Sequence, residues 1–467
     1  MKSPLQPQPI ARADLLARLR EPKPWDAVII GGGATGLGIA VDAAARGLRV
    51  ALIEARDFGS GTSSRSTKLV HGGVRYLAQG NVKLVREALE ERATLLSIAP
   101  HIVHPLEFVV PCYRPLERPF LRIGLGVYDL LAGRRSIGPT RWLSRAETLA
   151  RLPGIRPEGL RGGVSYWDGQ FDDALMCIAL MQTAYALGAT PINYVRCEGL
   201  KLRDGRIESV RAVDAETGES FELATTCVFN AAGVWVDGVR RLADPEARKL
   251  ITVSQGSHLV VDRDFLPGSA ALMIPKTRDG RVLFVIPWFD KLLIGTTDGP
   301  RPDAPWEPQP SAEEIEFMLD TARGYLARPI TKADVRASFA GLRPLFDPGN
   351  AGSTAAISRE HAVLTEFGNL ISIVGGKWTT YRKMAVDAMA AAVRAGLFQP
   401  RPARTEDLML VVDRVLVDPA RRAAPDAAYA EHCRRFTQAR TNEDVVCRRA
   451  RVAFLDSERA SRLKSDL

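Results

Sequence analysis

The 467-residue chain is 46% hydrophobic and 25% charged, the balance of a globular protein of two or three domains and not of a disordered or fibrous one. Its net charge of +9 suits an anionic substrate, an anionic membrane surface or an Arg-rich background, and no nucleic-acid-binding signature accompanies it. Six scattered cysteines without a C-x-x-C pair give no metal site and point to a reducing compartment; no apolar run reaches the roughly 18 residues of a spanning helix.

Residues 1–24 are polar and Pro-rich, with no signal-peptide core and one short helix expected around 13–19. The stretch that follows, 25–54, reads as strand, glycine turn, helix, strand. Val28 to Ile30 are apolar and β-branched, as a buried parallel strand requires. Gly31, Gly33 and Gly36 form G-x-G-x-x-G: the first allows the turn, the second lets backbone approach a pyrophosphate, and the third lets helix and strand pack closely. Free N–H groups at the helix start then face the phosphates. The second strand ends in Glu54, 18 residues after Gly36, where a carboxylate accepts hydrogen bonds from a ribose 2′-OH. The motif leaves FAD and NAD open; its place near the N-terminus favours a bound flavin.

Residues 55–77 interleave hydroxyls, glycines and cations, as a loop touching phosphates and a ring system requires. Residues 82–98 form an amphipathic helix with i,i+4 charge pairs, read as scaffold. Residues 114–145 are Arg-rich with interspersed Leu, Ile and Val, which suits either contact with anionic lipid or an Arg-rich connection. A helix over 177–187 precedes strands near 191–195, 199–202 and 207–213, with Asp204-Gly205 as a hairpin turn. A buried strand at 227–230 runs into Ala231-Ala-Gly233. Strands alternate with Gly and Pro turns over 252–297, which predicts an antiparallel sheet. A capping-box start opens a helix over 311–326, a last buried strand covers 369–374, and Gly375-Gly376 opens a helix over 379–395. Residues 400–402 mark a linker to a short tail.

Oxidising a secondary alcohol with a flavin needs a base, a hydride acceptor and groups that hold the substrate still. His258, in Gly-Ser-His, is the candidate base, the alternative being a core histidine bonded to backbone. Arg75, Arg343 and Lys377, each in a glycine-containing motif, are candidates to hold a phosphate; Arg343 and Lys377 are equally candidates to polarise the reacting hydroxyl. Tyr76 and Thr380 are further hydrogen-bonding candidates, and His71 is read as structural or flavin-contacting.

The segments Thr62-Ser-Ser-Arg-Ser-Thr-Lys-Leu-Val-His-Gly-Gly-Val-Arg-Tyr-Leu77, Arg86-Glu-Ala-Leu-Glu-Glu-Arg92, Asn230-Ala-Ala-Gly-Val-Trp-Val236, Gly256-Ser-His258, Gly295-Thr-Thr-Asp298, Gly341-Leu-Arg-Pro344 and Gly375-Gly-Lys-Trp-Thr-Thr-Tyr-Arg382 resemble the FAD-dependent, quinone-linked glycerol-3-phosphate dehydrogenases over about residues 25–390. The resemblance implies an α/β flavoprotein of D-amino-acid-oxidase type: a Rossmann-like FAD-binding domain (24–100, 160–235, 335–395), an antiparallel-sheet substrate domain (101–159, 236–334) and a shortened helical C-terminal domain (396–467). It implies non-covalent FAD held by Gly31, Gly33, Gly36, Glu54, Thr62, Ser63, Lys68, His71, Gly72, Gly73, Val195, Ala232, Gly233, Gly341, Gly375, Gly376 and Thr379. Catalysis falls to His258, Arg343 and Lys377, and substrate binding to Arg75, Tyr76 and Thr380.

The implied reaction is oxidation of sn-glycerol 3-phosphate to dihydroxyacetone phosphate, with quinone as acceptor. The implied location is the cytoplasmic face of an anionic membrane, held peripherally. Oxygen as acceptor, an amine or amino-acid oxidase on the same fold, and a flavin-holding sensor stay open, as does a homodimer. Two departures stand out. Leu175 occupies a position where the family commonly has Arg, and the tail is shorter than the family's.

Overall fold

The computed structural model describes residues 5–73, 81–115, 117–278, 280–347 and 360–467. Trp25–Ile30 lies in the middle of a first sheet, parallel to Val50–Ile53 on one side and Ser220–Asn230 on the other. Thr190–Ile192 and Leu370–Gly375 extend the parallel run at its two ends, and His361–Glu366 closes one edge antiparallel. Parallel strands covered on both faces need apolar side chains, which explains the apolar runs 27–30, 50–53 and 227–229 at the centre of the sheet. Helix Ala34–Ala45 is almost wholly buried and rich in Ala and Gly. That allows Asp173–Ala186 and Tyr381–Arg394 to pack along it. The hairpin Val195–Arg203/Arg206–Asp214 turns at Asp204-Gly205, both left-handed, and pairs onto Ser220–Asn230.

The second sheet is mostly antiparallel. Its long strand Ile251–Asp262 pairs with Val335–Phe346 along one flank. The other flank is shared between Lys291–Gly295 and Gly299–Arg301, so residues 296–298 fill a break in the ladder. Hairpin strands Leu283–Trp288 and Ala271–Ile274 continue the sheet to Val103–Cys112 and Gly162–Phe171. Helix Ala312–Arg323 begins at the expected capping box of Ser311 and Glu314.

Sheet membership crosses the expected domain boundaries. Leu69–Val70, Gly162–Phe171 and Val335–Phe346, all assigned from sequence to the FAD-binding part, are strands of the second sheet. A fully buried strand has the same apolar pattern in either sheet, and only long-range pairing decides between them. The helix expected from 177 starts at Asp173, because Asp172 accepts from the amides of Ala174 and Leu175 as its N-cap.

The tail is helical and shares its core with the first sheet: Tyr429, Cys433, Val445, Val446 and Val452 pack in the same cluster as Val28, Leu52 and Met176. It also supplies cations to three buried carboxylates. Arg449 Nη2 lies 3.0 Å from Asp57, whose other oxygen takes Arg448. Arg451 Nη2 lies 3.0 Å from Asp173, and Arg422 pairs with Asp172. Burial pushes Asp172 up, but Arg422 and Arg451 outweigh it and hold the carboxyl down at about 2. Position 175, where the family's Arg is absent, is a buried leucine, and the cations come from the tail instead. Among the described residues no helix is long and apolar enough to cross a membrane, and no cluster of His, Cys, Asp and Glu is arranged to hold a metal ion.

Candidate active site

Two cavities meet between the sheets. The first, of about 280 Å³, opens at the carboxyl end of Trp25–Ile30, where Gly31, Gly33, Glu54, Ser63, Val195, Ala232 and Gly233 line it. The turn at Gly31 has φ +111°, and a Cβ there would lie 2.5 Å from the Ala231 carbonyl. Gly36 does not line the cavity. It presses against Gly31, where a Cβ would sit 1.9 Å from the carbonyl, and so sets the helix against the strand. Glu54 accepts from the amides of Gly32 (2.6 Å) and Arg56 (2.8 Å), which fix its carboxylate; burial raises its pKa and those two bonds oppose the rise. Ser63 Oγ caps the helix by accepting from Ala34 N–H at 3.0 Å. A sharp turn stripped of side chains, a helix N-terminus and an oriented carboxylate fit the pyrophosphate and ribose of a dinucleotide.

The second cavity, of about 270 Å³, shares Thr62, Pro344, Gly375, Gly376, Lys377 and Trp378 with the first, so the two form one channel. Its wall is one face of the paired strands Ile251–Asp262 and Val335–Phe346. Side chains alternate along a strand, and the register opposes His258 to Phe339, Gly256 to Gly341 and Ser254 to Arg343. The Arg343 guanidinium swings over Gly256 to reach the break in the ladder. Nη1 lies 3.2 Å from both Gln255 O and Asp298, and Nη2 lies 3.1 Å from Thr296 Oγ1 and from Thr297 O. A Cβ at Gly256 would meet that guanidinium at 2.1 Å. The glycine before His258 is thus a berth for the arginine of the neighbouring strand. Gly295 does the same for His258, whose ring a Cβ would meet at 2.2 Å. The imidazole stacks on Phe339 at 4.8 Å, Nε2 is 3.0 Å from Thr67 Oγ1, and among the described residues Nδ1 is buried without a hydrogen-bond partner. Burial, then the charges of Lys68 and Arg343, push its pKa well below the usual value, so the ring is neutral at pH 7.

His71, Gly73, Gly341 and Thr379 also line this second cavity, and Thr379 Oγ1 accepts from the His71 amide at 3.1 Å. Five further candidates lie elsewhere than expected or outside the described residues. Lys68 is fully buried behind the wall, its Nζ 2.7 Å from Asp173 and 2.8 Å from Ser64 O, and burial brings its pKa to about 7 against the pull of Asp173. Its short loop reads as solvent- or cofactor-facing in sequence because the buried carboxylate it answers is about a hundred residues away. Thr380 is buried, with Oγ1 donating to Lys377 O at 3.3 Å, and borders neither cavity. Gly72 is also covered, its amide donating to Tyr128 OH at 2.9 Å. Arg75 and Tyr76 lie outside the described residues.

Sequence reasoning passed over other residues. Arg92 on the scaffold helix Val82–Ile98 points inward, 2.8 Å from Asp168, which also accepts from Tyr128 OH at 2.9 Å; Asp168 lines the second cavity. No periodicity separates that arginine from its solvated neighbours. Arg65 and Arg281 join Arg343 and Lys377 around the cavity; Asp298 pairs with Arg343, Asp168 with Arg92 from outside the lining, and Arg65 with Glu307. With these pairs counted, the described lining is still net cationic. Trp235 and Trp306 line the first cavity. Trp306 had a visible signal, a lone tryptophan among prolines in 302–310.

Residues 26–382 match the family described as FAD dependent oxidoreductase (DAO). The chain is similar to the mitochondrial glycerol-3-phosphate dehydrogenases of Bos taurus and Homo sapiens, at 40% identity over 88% of this chain and 58% of theirs. It is also similar to the Arabidopsis thaliana enzyme, at 42% over 81% and 62%. It spans less than two thirds of the length of these relatives. Among solved structures, the glycerol-3-phosphate dehydrogenase of Bacillus halodurans complexed with FAD superposes with a TM-score of 0.78 at 28% identity, over 97% of this chain and 91% of that one. A glycine oxidase from Geobacillus kaustophilus shares the fold at a TM-score of 0.61 and 20% identity. With its glycine turn, oriented Glu54 and match over 26–382, the chain belongs to the DAO family of FAD-dependent oxidoreductases, and FAD is its cofactor.

Proposed function

We propose that FAD lies along the joined cavities and that the protein oxidises sn-glycerol 3-phosphate to dihydroxyacetone phosphate, passing the electrons to a quinone. The observation that carries this reading is the net cationic second cavity, with neutral His258 at its wall and Arg343 and Lys377 beside it. An amino-acid substrate asks for one cation against a carboxylate; a phosphate asks for several. The likeness to glycerol-3-phosphate dehydrogenases supports the same choice.

The pyrophosphate is held at Gly31, Gly33 and the start of Ala34–Ala45, the ribose by Glu54, and the ring end by the segments around His71, Gly341 and Gly375-Gly376. Bound FAD supplies the hydride acceptor. Arg343 and Lys377 hold the phosphate or the reacting oxygen, and their charge favours the developing alkoxide. His258, neutral at the cavity wall with Nε2 against Thr67 Oγ1, takes the hydroxyl proton. The amphipathic helix Glu117–Ala132, with Leu130 and Val127 exposed, suits peripheral contact with an anionic membrane on its cytoplasmic side.

The test is Arg343→Met and Lys377→Met, each loaded with FAD and mixed with glycerol 3-phosphate in a stopped-flow instrument. Loss of one charge-assisted contact should lower kcat/KM by about 30- to 1000-fold, corresponding to roughly 2–4 kcal/mol. Parent-like bleaching in both variants sinks the assignment.

A further inference from the structure

Segment 304–308 belongs to the connection between the second-sheet strand Gly299–Arg301 and helix Ala312–Arg323, yet its Trp306 lines the first cavity. The Trp306 ring stacks on Trp235 with centroids 3.8 Å apart and planes 27° from parallel. On Trp306 the Arg56 guanidinium sits 4.5 Å from the ring centroid. Trp235 Nε1 donates to Ala304 O at 3.0 Å, and Glu307 pairs with Arg65 at 2.6 Å. Each partner comes from a different part of the nucleotide site. Arg56 follows the ribose-facing Glu54, Trp235 follows the Ala232-Gly233 return, and Arg65 belongs to the loop that carries Thr62 and Ser63. Trp306 is only half-buried, so a merely structural tryptophan here gains little from the core.

We propose that Trp306, locked by Arg56, Trp235 and Glu307–Arg65, is a cofactor-retaining residue: residues 304–308 form a clasp over the ADP half of FAD, and its release sets the rate at which the cofactor leaves. The proposal rests on the placement of FAD described above. The clasp adds no group to the second cavity's catalytic wall, so it acts on cofactor exchange and not on hydride transfer. The cation over Trp306 and the aromatic ring stacked on it hold the indole without a covalent link, through ring quadrupole and dispersion.

The experiment uses FAD-loaded full-length protein diluted into cofactor-free buffer, with release read from the fluorescence of freed FAD. Trp306→Ala should release FAD roughly 3- to 10-fold faster, the value of one lost aromatic stack. Trp306→Phe should restore most of the parent rate, and Glu307→Gln should accelerate release by a smaller factor. In both Trp306 variants, loaded enzyme should be reduced by substrate at the parent rate. A Gly33→Val control that fails to take up FAD places the dinucleotide in this cavity. With that control in hand, parent-like release from Trp306→Ala overturns the clasp alone. A Gly33→Val protein that loads fully overturns the placement, and the clasp with it.

Discussion

The base proposed at His258 must be uncharged at neutral pH, and burial beside Lys68 and Arg343 keeps the ring so. The same depression makes it a stability element. Above the unfolded value of 6.5 the ring is neutral in both states and costs nothing; below it the unfolded chain takes up a proton that the folded site refuses. Stability should therefore fall as pH drops from about 6.5 through the lower folded value, and His258→Asn should flatten that part of the curve in urea titrations. A parent-like pH slope in the variant would show that another group is responsible. That His258, Arg343 and Lys377 border one cavity was legible because each stands in a glycine-bearing motif outside the charged helix faces. The reason for the glycines was not legible: Gly256 serves Arg343, an arginine 87 positions away in the chain, and only strand register brings the two together.

That register makes a prediction about the strand pair Ile251–Asp262 and Val335–Phe346. Gly256→Ala puts a methyl 2.1 Å from the Arg343 guanidinium and must displace it, so the variant should load FAD normally and lose activity to within about tenfold of Arg343→Met. Undiminished turnover would mean that the guanidinium is not needed where it lies. At the tail, Arg449→Ala strips a fully buried partner from Asp57 and should cost about 3–5 kcal/mol of unfolding free energy, measured in denaturant. A loss below about 1 kcal/mol would mean that Arg448 alone satisfies the carboxylate. The tail's role escaped sequence reading because its arginines look like a solvated basic helix, whereas Arg448, Arg449 and Arg451 are all buried. The central first-sheet strands were legible from their apolar runs, but the edge strand His361–Glu366 was not, and neither was the sheet to which Gly162–Phe171 and Val335–Phe346 belong, since pairing partners leave no local trace.

At the scale of the whole molecule, a chain of net charge +9 with an amphipathic helix exposing Leu130 should bind anionic vesicles and release them as salt screens its cations. Cosedimentation across a salt series checks this, and binding that persists in concentrated salt contradicts an electrostatic attachment. The central claim is that one channel joins a dinucleotide site to a cationic alcohol-oxidising site, and it is tested most directly without any variant. FAD-loaded protein is mixed anaerobically with glycerol 3-phosphate and, separately, with glycine and proline, while the flavin absorbance is followed. The account predicts bleaching with glycerol 3-phosphate and none with the amino acids; flavin that stays oxidised with glycerol 3-phosphate, or bleaches with an amino acid instead, contradicts it.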